Sequence, residues 1–302
     1  MITLFGGSHD LYSWNQSAEN IENPMVVDKL SYLNPKFFTL RTLFYFGVFI
    51  FASAIRTEMS RKQDETGDRE ITLKLQRWAG PLIALFSVSL NFAAFDWMMS
   101  TDPGWYSTIY GVYVFAASML SFFAVMILSC YLLQAKVVYK RLLRPSISTT
   151  CRSFSLALSS SGPTLPFRQF LLYWYGNIPE ETIWYKHRME NGWGTWGVVL
   201  IATHFAVPFL GTVSRHVRRR PALMAFWASF LLVVHWLDMT FLIMPNVHEV
   251  GVSVSLILAH GLCWIGMVLL FLGLFLWRVG ETPVVALKDP WLPDSLAYHN
   301  LP

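Results

Sequence analysis

Long apolar stretches separated by short polar segments dominate the sequence. A helix needs roughly 20 apolar residues to cross about 30 Å of hydrocarbon, and we predict membrane-spanning helices at about residues 35–55, 78–98, 106–133, 195–213, 221–244 and 252–277. Pro35 and Pro221 stand at the first position of a helix, where a missing N–H costs nothing. Tryptophan and tyrosine mark many of the ends, as at membrane–water interfaces. The predicted fold class is therefore an all-α, polytopic transmembrane helix bundle.

The distribution of lysine and arginine predicts a seventh helix. Three segments are rich in these residues, namely 56–77, 134–152 and 214–220. Cytoplasmic loops carry an excess of Lys and Arg, and the three segments fall on one side only if a further, irregular helix crosses at about residues 153–175. Seven helices then leave 17 Lys and Arg residues inside and 6 outside.

This topology divides the chain into three regions. Residues 1–34 form an outer, periplasmic segment, residues 35–278 form the transmembrane bundle, and residues 279–302 form a cytoplasmic tail. The first 34 residues contain no basic region followed by an apolar one, so no secretory signal is predicted. The simplest explanation of an N-terminus on the outer side is that upstream helices exist on a longer native chain.

The composition of the predicted seventh helix is unusual. Residues 145–166 are rich in Ser, Thr, Pro and Gly, which is typical of a linker. Two interpretations are open. The segment is a long cytoplasmic loop, or the gene carries a frame error: if residues 161–164 are written TCT-GGG-CCT-ACN after a codon ending in T, the neighbouring frame reads Phe-Trp-Ala-Tyr, an apolar sequence.

Composition and cysteine spacing narrow the function. The chain is 54% hydrophobic and 14% charged, whereas soluble domains carry about 25% charged residues, so a soluble enzyme is excluded. The net charge of +4 is small and its basic residues flank helices, which argues against nucleic-acid binding. Cys130, Cys151 and Cys263 lie far apart, so no iron–sulfur or covalent haem motif is present.

Four titratable side chains fall at one depth within predicted helices. They are His204, His235, Asp238 and His260, and a rise of ~1.5 Å per residue puts them within roughly 9 to 14 Å of the outer boundary. Asp96 lies nearer the same surface, at the end of its helix. Ionisable residues inside a membrane are costly, so each of these side chains is a candidate functional residue.

Three interpretations of this layer remain open. It carries protons in quinol chemistry, since His and buried carboxylates accept protons near neutral pH and His235 and Asp238 share one helix face. It hydrogen-bonds between helices for ~0.6 kcal/mol per contact. Or two of the three histidines bind haem, although each helix carries only one. For Asp96, a quinol-side acid–base role competes with a capping or interfacial one.

The remaining charged residues have simpler interpretations. Arg215, Arg218, Arg219 and Arg220 are predicted to set topology and to contact anionic lipid. Asp102 lies in an outer loop, where a solvated or subunit-contacting role is expected. The sequence contains no Gly-rich phosphate loop, nucleophile triad or metal-ligand spacing, so no metal site is predicted.

Several stretches together resemble one family. They are FDWMMS at 95–100, DP at 102–103, WYSTIYG at 105–111, WYGNIPEET at 174–182, DP at 289–290 and LP at 292–293. In this order and spacing they resemble the NrfD-like membrane subunits of Alternative Complex III, a bacterial quinol:cytochrome c oxidoreductase. The likeness covers essentially the whole chain.

The resemblance implies a place in a respiratory or photosynthetic electron-transfer chain of the bacterial inner membrane. It implies ten helices with both termini cytoplasmic, of which this chain lacks the first three, and Asp96 at the quinol side. No cofactor is expected in this chain, and quinone or quinol is expected nearby. The implied partners are an iron–sulfur, molybdopterin-like subunit, multihaem and monohaem cytochromes c, and a paralogous NrfD-like subunit.

A different class of protein is compatible with the same buried residues. A membrane layer of His and Asp suits a proton-coupled secondary transporter equally well. The two classes differ in their partners, because a transporter is expected to purify alone and a subunit of an electron-transfer complex with haem-bearing proteins.

Overall fold

The computed structural model describes residues 11–15, 24–134, 164–214, 216–217, 220–247, 252–281, 286 and 288–297. Its helices are α1 (Pro24–Lys29), α2 (Pro35–Thr66), α3 (Arg69–Trp97), α4 (Ile109–Gln134), α5 (Thr164–Gly176), α6 (Pro179–His187), α7 (Trp193–Ile201), α8 (Val207–Val213), α9 (Pro221–Val247), α10 (Val254–Glu281) and α11 (Leu292–Ala297). A π-helical turn, Ala202–Ala206, joins α7 to α8, and short 3-10 turns lie at Ser13–Asn15 and Met99–Thr101. These described ranges contain no β-strand.

Six predicted membrane helices are confirmed as helices. Among the described residues, the helices long and apolar enough to cross a membrane are Pro35–Thr66, Arg69–Thr101, Ile109–Leu133, Trp193–Val213, Pro221–Asn246 and Val254–Glu281. Two of them begin at Pro35 and Pro221 as expected. The protein is thus an all-α, membrane-embedded helical bundle.

The seventh predicted helix is described only in its second half. Residues 153–163 lie outside the described part of the chain. Both interpretations of the Ser- and Pro-rich segment therefore stay open. The part that is described, α5, has 13 residues, which is shorter than the roughly 20 needed to span a bilayer. The seventh span therefore stays a prediction.

The basic segment 56–77 was predicted as a loop, and this was wrong. Helix α2 continues to Thr66, and α3 begins at Arg69. Lys, Arg, Glu and Gln are good helix formers, so the helices extend beyond their apolar stretches. The break falls at Gly67, whose φ of 68° suits glycine, and the Asp68 carboxylate accepts the Glu70 N–H at 2.9 Å.

The chain divides into two compact units. The first comprises Met1–Tyr45, Val88–Gly251 and Pro302, and the second comprises Phe46–Ser87 and Val252–Leu301. In the first unit, α4 packs along α9, and the two helices approach closely where small residues meet: Ala124 and Ala228 are 0% and 1% exposed. Small residues at such crossings let helix backbones pack tightly in membranes.

In the second unit, the C-terminal segment 288–297 contacts the residues around the connection between α2 and α3. The Lys288 ammonium donates to the Glu65 carbonyl at 2.7 Å, and the Lys288 N–H donates to the Asp64 carboxylate at 3.2 Å. The Arg69 guanidinium lies over the Trp291 ring. These contacts hold the tail 288–297 against the end of α2.

Gly211 is a position where the close approach of two helices demands glycine. A Cβ there would overlap the ring of Trp227 on α9. Overpacking a buried contact costs typically about 1–3 kcal/mol, so we expect Gly211→Ala to lower the unfolding temperature of the protein in detergent. At Gly197 a Cβ would meet the Phe241 ring at an ordinary 3.4 Å. Equal losses from Gly211→Ala and Gly197→Ala would contradict this packing.

Candidate functional site

Asp238 is a buried carboxylate whose partners are themselves titratable. It lies on α9 and is 6% exposed. The Tyr113 hydroxyl on α4 donates to its Oδ2, and the His204 Nδ1 lies 3.6 Å from the same oxygen. Tyr113 and His204 are also buried. We call these three residues the Asp238 cluster.

The π-helical turn helps to bring His204 into the cluster. The Val207 N–H bonds to the Ala202 carbonyl, five residues back instead of the four of an α-helix. Pro208 follows directly and has no N–H to continue the α-helical pattern. Single π-helical turns occur frequently at functional sites, and this one contains the buried His204.

The contact with Asp238 distinguishes the two nitrogens of the His204 ring. When the carboxylate is ionised, the Nδ1 that faces it carries the proton, and the lone pair of neutral imidazole then lies on Nε2. That Nε2 is buried and has no hydrogen-bond partner among the described residues. The two ring nitrogens of His204 therefore have different surroundings, with Nδ1 facing Asp238 and Nε2 away from it.

The predicted layer of four residues is brought together in part. His235 lies one turn before Asp238 on α9, and its buried Nδ1 has no partner within the described ranges. The carboxylate itself contacts Tyr113 and His204, of which His204 belongs to the predicted layer and Tyr113 does not. His260 lies on α10, which belongs to the second unit.

Asp96, for which the sequence left a quinol-side role and a capping or interfacial role open, is almost fully buried. It is 1% exposed. It accepts two hydrogen bonds from Arg41, at 2.7 Å from Nε and 3.0 Å from Nη2, and a third at 2.7 Å from the Tyr45 hydroxyl. The Arg41 guanidinium also lies 3.8 Å from the centre of the Tyr32 ring.

The two buried aspartates therefore differ in charge compensation. Arg41 carries a permanent charge, so removing the charge of Asp96 would leave a buried, unpaired cation. Asp238 forms no ion pair with Lys or Arg in the part of the chain that the structure describes. The two carboxylates thus differ in whether a fixed cation lies against them.

A second buried arginine, Arg188, follows α6 directly and links it to the C-terminal end of α9. Arg188 is 3% exposed and donates to the Leu242 carbonyl at 2.6 Å and to the Asn246 Oδ1 at 2.8 Å, while Asn246 donates to the Thr101 hydroxyl at 2.9 Å. Its guanidinium lies 3.3 Å from the centre of the Trp184 ring. Burial lowers the pKa of Arg188 to about 9, which leaves it charged at neutral pH.

Asp102 is less exposed than an outer-loop carboxylate was expected to be. It is half-buried, and this burial raises the pKa of the Asp102 carboxyl, while the nearby positive charges of Arg188 and His187 oppose the rise. The sequence counted Arg188 and Arg41 only as charges on the outer side. Their position in or beside apolar stretches was the available signal that these arginines are buried, because a cation there needs hydrogen-bond or charge partners within the protein.

The predicted lipid-contacting run is described at one of its four residues. Arg220 is exposed and immediately precedes α9, whereas Arg215, Arg218 and Arg219 lie outside the described residues. Within the described ranges, no three His, Cys, Asp or Glu side chains are grouped so as to hold a metal ion.

Comparison with protein-family models gives no match to this chain. Comparison with curated proteins also gives none.

Variants of the Arg41–Asp96 pair test whether removing one charge destabilises the protein more than removing both. Breaking a buried ion pair by deleting one partner costs about 3–5 kcal/mol, whereas replacing both with apolar residues is often neutral. We expect Arg41→Met to destabilise the protein strongly in a denaturant titration in detergent, and Arg41→Met with Asp96→Leu to recover much of the loss.

The matched control for that experiment is Arg278→Met. Arg278 forms an ion pair with Glu281 at 3.5 Å that is largely exposed, and exposed pairs contribute about 0–1 kcal/mol. If the double variant were no more stable than Arg41→Met alone, the ion pair would not be the reason for the loss.

Proposed function

We propose that this chain is an integral membrane subunit of a quinol:electron-acceptor oxidoreductase of the Alternative Complex III type, and that its Asp238 cluster carries protons. The observation that supports proton transfer most directly is the environment of Asp238. A carboxylate buried in an apolar helix interacts there with a tyrosine hydroxyl and an imidazole, both of which exchange protons, instead of a fixed cation.

The charge of the cluster explains why it would hold a proton reversibly. An ionised Asp238 with neutral His204 leaves one uncompensated negative charge in a medium of low dielectric constant, which is costly. One added proton, on either the carboxylate or the imidazole, makes the cluster neutral overall. A second would make it cationic and again costly. The cluster is thus built to take up one proton and release it.

This behaviour suits the proposed reaction. Oxidation of a quinol to a quinone releases two electrons and two protons, and the protons need acceptors positioned within hydrogen-bond reach. Groups that titrate near neutral pH, such as His, perform this role well. In the proposed orientation the cluster and His235, a further candidate carrier, lie in the outer half of the bilayer. His260 is also a candidate carrier, by its depth along its own helix.

Asp96 is proposed to have a positioning role. The stretch that resembles Alternative Complex III subunits is tied to its surroundings by three side chains: Asp96 binds Arg41, the Trp97 indole donates to the Thr42 hydroxyl at 3.1 Å, and the Tyr12 hydroxyl donates to the Trp97 carbonyl at 3.0 Å. These contacts fasten the end of α3 to α2 and to the segment before it. A fixed ion pair suits this role better than quinol-side acid–base chemistry.

The proposed partners follow from the resemblance. Haem c and iron–sulfur clusters are assigned to partner subunits of the inner membrane complex, and this chain would anchor them. Mild-detergent extraction of the full chain from native membranes should recover haem-staining proteins with it. Recovery of the chain alone, without haem, would favour a proton-coupled transporter. A haem spectrum retained by the isolated chain would favour ligation by its own histidines.

Substitution Asp238→Asn tests the proton-carrying role. Asn has nearly the same shape, so we expect assembly to survive, while proton release per electron pair in proteoliposomes falls and coupled turnover drops by about 10²-fold, the lower range for a positioned proton-transfer group. The control is Glu281→Gln, which removes a carboxylate that is 47% exposed. Unchanged proton stoichiometry with intact turnover in Asp238→Asn would assign Asp238 a structural role.

A further inference from the structure

Tyr110 is a buried hydroxyl with no role in the contacts described so far. It lies on α4, one turn before Tyr113, and is 3% exposed. Its hydroxyl has no hydrogen-bond partner among the described residues. A buried polar group without a partner costs about 1–3 kcal/mol. A phenylalanine would fill the same space without that cost, so the hydroxyl calls for an explanation.

The position of Tyr110 relative to the Asp238 cluster provides one. Residues three apart on a helix share a face, with Cβ atoms about 5–6 Å apart, so Tyr110 and Tyr113 lie one above the other. Both belong to one buried aromatic cluster with Trp105 and Trp184. Tyr113 already donates to Asp238, and Tyr110 is the next hydroxyl towards the start of α4.

Beyond Tyr110 lies the connection between α3 and α4. The Trp105 ring in that connection meets the Tyr110 ring edge-on, with centroids 6.2 Å apart, and stacks on Trp184 at 4.6 Å. Arg188 fastens this region by lying over Trp184 and by donating to Asn246, which in turn donates to Thr101. The connection that carries Asp102 is thereby held at the end of the helices where Tyr110 lies.

We propose that Tyr110 is the next proton carrier after Tyr113, between the Asp238 cluster and the connection that carries Asp102. The inference deepens the proposed function, since it names the direction in which the cluster exchanges its proton. Its geometric basis is a buried, unpaired hydroxyl on the same helix face as the hydroxyl that contacts Asp238. A hydroxyl that is not committed to one acceptor can rotate between a donor and an acceptor.

The Tyr113 and Tyr110 hydroxyls are not hydrogen-bonded to each other, so the transfer uses one bridging water between them. The protonated Asp238 carboxyl gives its proton to the Tyr113 oxygen while the Tyr113 proton passes to that water, a proton of the water passes to the Tyr110 oxygen, and the Tyr110 proton passes to a second water on the side of the connection. Asp238 is left as a carboxylate, and both tyrosines remain neutral phenols. Rotation of the two hydroxyls about their C–O bonds returns them to their starting orientations.

The test follows the exchange of the Asp238 proton directly. The full chain is purified from native membranes with the partners that remain bound, and its carboxyl infrared bands are recorded from acidic to neutral pH. The band lost in Asp238→Asn belongs to Asp238, and its shift after transfer to D2O reports how fast its proton exchanges with solvent. We expect Tyr110→Phe to slow this exchange by about 10²-fold, comparable to the loss of a positioned proton-transfer group.

The matched control is Tyr131→Phe, on the same helix at an exposed position, which should exchange at the wild-type rate. Because the Tyr110 hydroxyl has no partner to lose in the described structure, Tyr110→Phe should unfold at the wild-type temperature or above it. Wild-type exchange in Tyr110→Phe would overturn the inference. So would the absence of a protonated Asp238 band in the wild-type protein across that pH range.

The exchange experiment is independent of quinol turnover, so the two proposals can fail separately. If the purified protein does not oxidise quinol but Tyr110→Phe slows exchange, the proposed function fails and the route through Tyr110 stands. If quinol oxidation is normal and exchange is unaffected by Tyr110→Phe, the route fails and the proposed function stands.

Discussion

The cost of an uncompensated charge in an apolar surrounding organises the first unit. Two aspartates are almost fully buried there, Asp96 at 1% and Asp238 at 6% exposed, and the protein meets the cost of burial in two ways. Arg41 neutralises Asp96 with a permanent charge and two hydrogen bonds. Asp238 relies on Tyr113 and His204, whose protons can move. One carboxylate is consequently linked to a fixed cation, and the other contacts groups whose own protons can move.

Unsatisfied backbone groups provide the second constraint. Water is absent from the hydrocarbon region, so a break in the α-helical pattern must be repaired by other protein groups. At Pro208 the repair is a π-helical turn, and it coincides with the placement of His204 against Asp238. Near the end of α9, the Leu242 carbonyl accepts a hydrogen bond from the buried Arg188. The π-helical turn is thus an irregular point of a helix at which a titratable side chain is used.

Aromatic residues have different roles inside the bundle and at its surface. Trp174 and Tyr175 are 68% and 90% exposed, as expected for side chains at a membrane interface. Trp105 and Trp184 are instead buried and stacked, and Arg188 lies on the Trp184 ring. The composition does not distinguish the two pairs, yet only Trp105 and Trp184 lie in the buried cluster that contains Tyr110.

The pattern of apolar and charged positions is sufficient to predict the six long helices and to single out the candidate residues within them. Apolar length predicts each of the six long helices, because the thickness of the hydrocarbon layer sets that length, and the rarity of charge in such helices singles out Asp96, His204, His235, Asp238 and His260. The basic segment 56–77 was misjudged as a loop because hydropathy reports where a helix leaves the membrane and not where it ends.

Only the tertiary structure decided which partner each charged residue has. Arg41 and Asp96 are 55 residues apart in the chain, and Tyr113 and Asp238 are 125 apart. No local pattern encodes such pairings, since they depend on how the helices rotate and cross. The functional distinction between the two aspartates follows from those pairings, because the proton affinity of a buried group is set by the charges and hydrogen bonds around it.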